Sequence, residues 1–149
     1  MDNKIQKYVA VMFPYPSGSG LHIGHSYNYA ITDSYCRYLR YKGEEVFQPF
    51  GFDAFGLPAE NYAKSVGREP RDVTYENIDR FREQMTKMDT KLEELLTTSD
   101  PSYTKWTQWI FLELYKRGLA YKKMGIVNWD PIDQTVLANE QVKNGIADR

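Results

Sequence analysis

The chain has 149 residues, 42% apolar and 26% charged, with 12 Tyr and 7 Phe, which suits one folded domain and excludes a disordered or low-complexity chain. Lys plus Arg number 19 against 20 Asp plus Glu, a net charge of -1, which leaves no electrostatic footprint for a nucleic-acid coating protein. The single cysteine, Cys36, excludes an internal disulfide or a cysteine-cluster metal site and suits a reducing cytoplasmic setting. No run approaches the roughly 20 apolar residues of a membrane span, and Met1-Asp2-Asn3-Lys4 opens no signal peptide, so no membrane partner is expected.

Tyr8-Val9-Ala10-Val11-Met12-Phe13, ended by Pro14, has the length and composition of a buried strand. After the loop from Pro14 to Gly20, Ile23, Tyr27, Ile31, Tyr35, Tyr38 and Leu39 recur at helical spacing as far as Gly43. Val46-Phe47-Gln48-Pro49-Phe50 then reads as a second strand ending at Gly51. A β-loop-α-β unit of this kind makes the strands parallel and brings loops 13–25 and 51–61 to their carboxyl edge, where ligands of open α/β sheets bind.

Farther on, Ile78, Phe81, Met85, Met88, Leu92 and Leu95 predict one long helix from Thr74, with Lys91 to Leu96 inside it. Asp100-Pro101 signals the start of another, with Trp106, Trp109, Ile110 and Leu114 on one side and Gly118 as its stop. These two helices are expected to pack together. Leu119-Ala120-Tyr121 and Ile126-Val127-Asn128-Trp129 look like short strands, and residues 134–149 show no closing element. The division expected is residues 1–67 for the β-loop-α-β unit, 68–118 for a helical continuation and 119–149 for the start of a connective region, all treated as one domain.

Two constellations can carry chemistry. His22-Ile23-Gly24-His25 follows Gly18 and Gly20 at a loop-to-helix junction, where backbone N-H groups favour an anion and two imidazoles on one face can donate to phosphate oxygens. Gly24, without a Cβ, lets a flat group such as a nucleobase approach the helix. A zinc pair would need a third ligand, and the glycine spacing departs from the dinucleotide fingerprint. At the end of the second strand Asp53 would face the first loop, so that its carboxylate fits an ammonium, with Phe13, Tyr15, Phe52 and Phe55 as an apolar wall. For Phe52 and Phe55 ordinary core packing is the competing reading.

Phe13-Pro14-Tyr15-Pro16-Ser17-Gly18, the histidine motif, Asp53-Ala54-Phe55-Gly56-Leu57-Pro58-Ala59-Glu60-Asn61, Trp106-Thr107-Gln108-Trp109 and Thr135-Val136-Leu137-Ala138-Asn139-Glu140-Gln141-Val142 together resemble the amino-terminal catalytic segment of leucyl-tRNA synthetases, a class I family. The resemblance implies a partial Rossmann-like α/β fold and ATP-dependent activation of leucine, assisted by Mg²⁺. His22 and His25 would then be catalytic and contact ATP together with Gly18, Gly20, Gly24 and Gly51; Phe13, Tyr15, Asp53 and Phe55 would hold leucine. The family's partner is tRNA(Leu), which this chain would use weakly if at all, since its editing insertion, second nucleotide-fold half and anticodon domain have no counterpart here. Where the family often has cysteines, Asn128-Trp129-Asp130-Pro131-Ile132-Asp133 has aspartates, so no zinc site of that kind is expected. These departures suggest a trimmed catalytic fragment with weak activity, relaxed selectivity and a tendency to self-associate; an ATP-binding module or a folding unit that needs its other half is the alternative.

Overall fold

The computed structural model describes residues 7–18, 20–91 and 93–147. The chain divides into two compact units, Met1–Trp109 and Ile110–Arg149.

In the first unit, β1 (Lys7–Tyr8) pairs in parallel with β2 (Val46–Phe47). The regular strand is shorter than the sequence pattern predicts, but the chain beyond it stays alongside: Val9 N donates to Phe47 O at 3.0 Å and Asp53 N to Pro14 O at 3.0 Å. Between the strands runs α1 (Ile23–Tyr41), ending at Lys42 with Gly43 in the left-handed region at φ 81°, as its stop signal predicts. The parallel pair and its helix connection agree with the α/β expectation.

Downstream, β3 (Pro49–Phe52) is followed by α2 (Leu57–Ser65), started by Pro58 in its first turn where the sequence pattern indicated only a loop. Helix α3 (Pro70–Lys87) is shorter than predicted. The chain reverses at Asp89, φ 51°, and Glu93–Thr97 forms β4, parallel to β3. The helical reading of Lys91 to Leu96 is therefore overturned; Leu92 itself lies outside the described residues. The reversal is held by α1. Arg37 donates to the Asp89 carboxylate and carbonyl, and Asp33 Oδ1 accepts from Lys91 N at 3.2 Å.

Tyr29 of α1, Phe50 and Phe52 of β3, and Ile78, Phe81 and Met85 of α3 form the core, with Val11, Leu21 and Tyr75 packed against it. Phe52 is fully buried, so core packing is its role. Gly51 permits the sheet to close: a Cβ there would stand 2.5 Å from Leu96 O and 2.9 Å from the Phe13 ring.

Helix α4 (Pro101–Lys116) starts where Asp100-Pro101 predicts. It does not pack on α3 as expected. None of its residues is buried, and α3 instead packs on α2 while its Tyr75 hydroxyl binds the Asp100 carboxylate at the head of α4.

In the second unit, β5 (Asn128–Asp130) pairs antiparallel with β6 (Thr135–Leu137). After a 3₁₀ turn at Asn139–Gln141 comes a second hairpin of β7 (Val142–Lys143) and β8 (Ile146–Ala147). Residues 119–121 form no strand, and the expectation of no closing element after residue 134 is corrected by β6, β7 and β8. Among the described residues no helix is long and apolar enough to cross a membrane.

Candidate active site

His22 is the N-cap of α1, and the two histidines complete a reciprocal cap. His22 Nδ1 accepts from Gly24 N at 3.1 Å, and His25 Nδ1 accepts from His22 N at 3.3 Å. An imidazole nitrogen that accepts carries no proton, so with both Nδ1 atoms accepting, the ring N-H of each histidine is on Nε2. The rings stack with centroids 3.8 Å apart, which keeps the two imidazoles together at the head of α1. His25 is backed by Phe81 at 5.8 Å and Tyr29 at 6.0 Å. Burial first and the charge of His22 second lower its pKa below the ordinary 6.5, so it is neutral at pH 7.

The sign of the pH dependence follows. A folded-state pKa below the unfolded one means the unfolded chain takes up the proton first as pH falls. Stability from this group is present above about 6.5 and is lost as acidification passes through the lower folded value, when protonated Nδ1 ceases to accept from His22 N. Urea denaturation of the native chain and His25→Ala across pH 4.5 to 7.5 should show this slope in the native chain and a reduced one in the variant.

Gly24 has a reason in the cap itself: a Cβ would lie 3.0 Å from His22 Cε1 and 3.1 Å from Nδ1. Gly24→Ala should displace the His22 ring, losing a cap contact worth ~1 kcal/mol, while alanine's helix propensity returns up to about 1 kcal/mol. The expected outcome is a nearly unchanged melting temperature, followed by circular dichroism; a drop well beyond the cap contact would show that the ring cannot move aside.

Two residues of α3 that the sequence reading missed hold the glycine loop. Asn77 Nδ2 donates to Pro16 O at 3.1 Å, and Gln84 Oε1 accepts from Leu21 N at 2.8 Å. A Cβ on Gly20, φ 135°, would strike that Gln84 carboxamide at 2.7 Å. The available signal is two amides seven residues apart on the helix face that also carries Ile78, Phe81 and Met85. Gly18, φ 81°, stands in open space.

Phe13, Asp53 and Phe55 line one cleft of about 520 Å³ together with Thr98 and Tyr103. Thr98 joins its edges, since its N donates to Phe52 O at 3.0 Å and its Oγ1 accepts from Ala54 N at 2.8 Å. Thr104, Thr107 and Gln108 of α4 complete the lining. Phe55 is 59% exposed, a side chain at the cleft and not in the core. Tyr15 is also exposed and is not among the cleft's lining residues. The site thus has two donors suited to an anion at the head of α1 and an acid with aromatic walls at the end of β3, their loops joined by the Asp53–Pro14 hydrogen bond.

Residues 7–146 match the family model of class I tRNA synthetases (M). The chain belongs to the class I tRNA synthetases. It is 53% identical, over its full length, to a leucine--tRNA ligase of Clostridium botulinum, and 55% identical over its full length to one of Caldanaerobacter subterraneus subsp. tengcongensis. It spans 18% of each. It also superimposes with a TM-score of 0.84 on the crystal structure of a LeuRS-tRNA-LeuAMS ternary complex from Agrobacterium radiobacter K84, at 43% identity, covering 95% of this chain and 18% of that one. As a class I synthetase segment resembling the leucyl enzymes, the chain has the fold and family its motifs imply.

Proposed function

We propose that this chain carries the ATP- and leucine-binding part of a leucine-activating site. The reciprocal histidine cap carries the reading: it leaves two preorganised Nε2-H donors together at the head of α1, an arrangement suited to phosphoryl oxygens, where stabilisation comes mainly from fixed donors. Gly18 faces open space, Gly20 and Gly24 make room for Gln84 and the His22 ring, and Gly51 lets Phe13 and β4 close beside it. Asp53 holds the leucine ammonium, with Phe13 and Phe55 along the side chain.

A leucine carboxylate oxygen attacks the α-phosphorus of ATP; the P-O bond to the β-phosphate breaks, and pyrophosphate leaves with the electron pair. Mg²⁺ neutralises phosphate charge when bound. Among the described residues no group of three His, Cys, Asp or Glu is gathered that could hold a metal. Transfer of the leucyl group to tRNA belongs, on this reading, to a longer polypeptide.

Leucine-dependent exchange of labelled pyrophosphate into ATP tests the reading. A slow exchange is expected in the purified chain, and Asp53→Asn should raise the leucine KM at least tenfold, the scale of a charged hydrogen bond worth ~1.5 to 3 kcal/mol. Exchange that is indifferent to Asp53 would sink it. The exposed faces of Trp106 (57%) and Trp109 (54%) favour a second reading, a folding unit that self-associates or needs further polypeptide. ATP binding without exchange, together with oligomers in light scattering, would support that one.

A further inference from the structure

No residue of α4 is buried, and the side of it that lines the cleft is largely polar. Here Trp106 and Trp109 are exposed, while Thr104, Thr107 and Gln108, at spacings of three and four and therefore on one face, line the cleft that contains Asp53, Phe13 and Phe55. The demand that selects a polar face for the cleft must come from what occupies it.

Within the leucine reading, the occupant's ammonium is answered by Asp53 and its side chain by the two phenylalanines. Its carboxylate still needs donors. Among the described residues the cleft lining contains no Lys, Arg or His, so the side-chain donors of α4 that line it are the hydroxyls of Tyr103, Thr104 and Thr107 and the carboxamide N-H of Gln108. Neutral donors suit a carboxylate that must act as a nucleophile: they orient it without the tight ion pair a guanidinium would form, which would lower its reactivity.

We propose that the Thr104, Thr107 and Gln108 face of α4 holds the carboxylate of the bound amino acid and turns one oxygen toward the nucleotide. This inference rests on the leucine reading of the cleft and adds the residues that position its reacting group.

The test compares three ligands by calorimetric titration of the full chain: leucine, leucinol, which lacks the carboxylate, and 4-methylpentanoate, which lacks the ammonium. Gln108→Leu and Thr107→Val should each weaken leucine and 4-methylpentanoate about tenfold, the scale of one hydrogen bond to a charged group, and leave leucinol unchanged. Gln108→Glu should weaken the two carboxylates further through like charge. Equal weakening of leucinol, or unchanged leucine binding in all three variants, overturns the assignment. Asp53→Asn should weaken leucine and leucinol but spare 4-methylpentanoate; if it does so while the α4 variants are silent, the leucine site stands and the α4 assignment alone falls. If the native chain binds none of the three, both fall together. All α4 positions tested are exposed, and circular dichroism melts of each variant verify the fold.

Discussion

His25→Ala is expected to reduce leucine-dependent pyrophosphate exchange by roughly 10²- to 10³-fold, the loss that follows removal of one preorganised donor aimed at developing charge. The substitution acts in three ways. It deletes one Nε2-H. It leaves His22 N without its acceptor, and it removes the ring on which His22 stacks at 3.8 Å, so the second donor loses its orientation too. Because the two imidazoles act as a unit, the His22→Ala, His25→Ala double variant should be little worse than either single one. Exchange rates of the four proteins, with circular dichroism to verify helix content, decide the matter; additive losses would mean that the rings act independently and that the cap is incidental.

Phe81→Ala should produce the largest change in stability, about 3 to 5 kcal/mol, from lost transfer energy and an unfilled cavity. Against a total of ~5 to 15 kcal/mol for a domain, that leaves much of the chain unfolded at ambient temperature. Phe81 is fully buried and joins the two halves of the design: its ring meets Phe52 of β3 at 6.2 Å and His25 at 5.8 Å. Phe81→Leu, which restores most of the volume, should recover stability in urea denaturation but leave exchange impaired, because a branched alkyl group does not reproduce the flat support beneath His25. Full recovery of both would show that only volume matters there.

What was legible in the sequence was local. The start of α1 is a loop, a capping side chain and an apolar repeat within a few residues, and its stop is a glycine, so its range and the clustering of His22 and His25 followed from neighbouring residues. The parallel pairing of β1 and β2 followed from connection length. What failed depended on distant groups. The apolar spacing that runs from Ile78 through Leu95 continues without interruption across Asp89, where the chain turns back with neither Gly nor Pro; besides local backbone bonds, Arg37 and Asp33, more than 50 positions away, stabilise that reversal, after which Glu93–Thr97 forms a strand. Likewise Trp106, Trp109 and Ile110 read as one apolar stripe, but all three are exposed, and the side of α4 that meets other residues lines a cleft with an acid in it, which no periodicity reports. Of the leucine set, Phe13, Asp53 and Phe55 converge because the β3–β4 pairing carries Thr98 and α4 to them. Asn77 and Gln84 escaped notice since polar residues on an apolar helix face look like noise until the loop they hold is in place.

The reciprocal cap makes ligand recognition and the first turn of α1 a single equilibrium. Fraying that turn would scatter both imidazoles at once, so a bound triphosphate should act as a staple for the helix end, and the amide hydrogens of Gly24, His25 and Ser26 should exchange with solvent more slowly when nucleotide is present. Warming would then erode affinity ahead of global melting, from the helix tip inward.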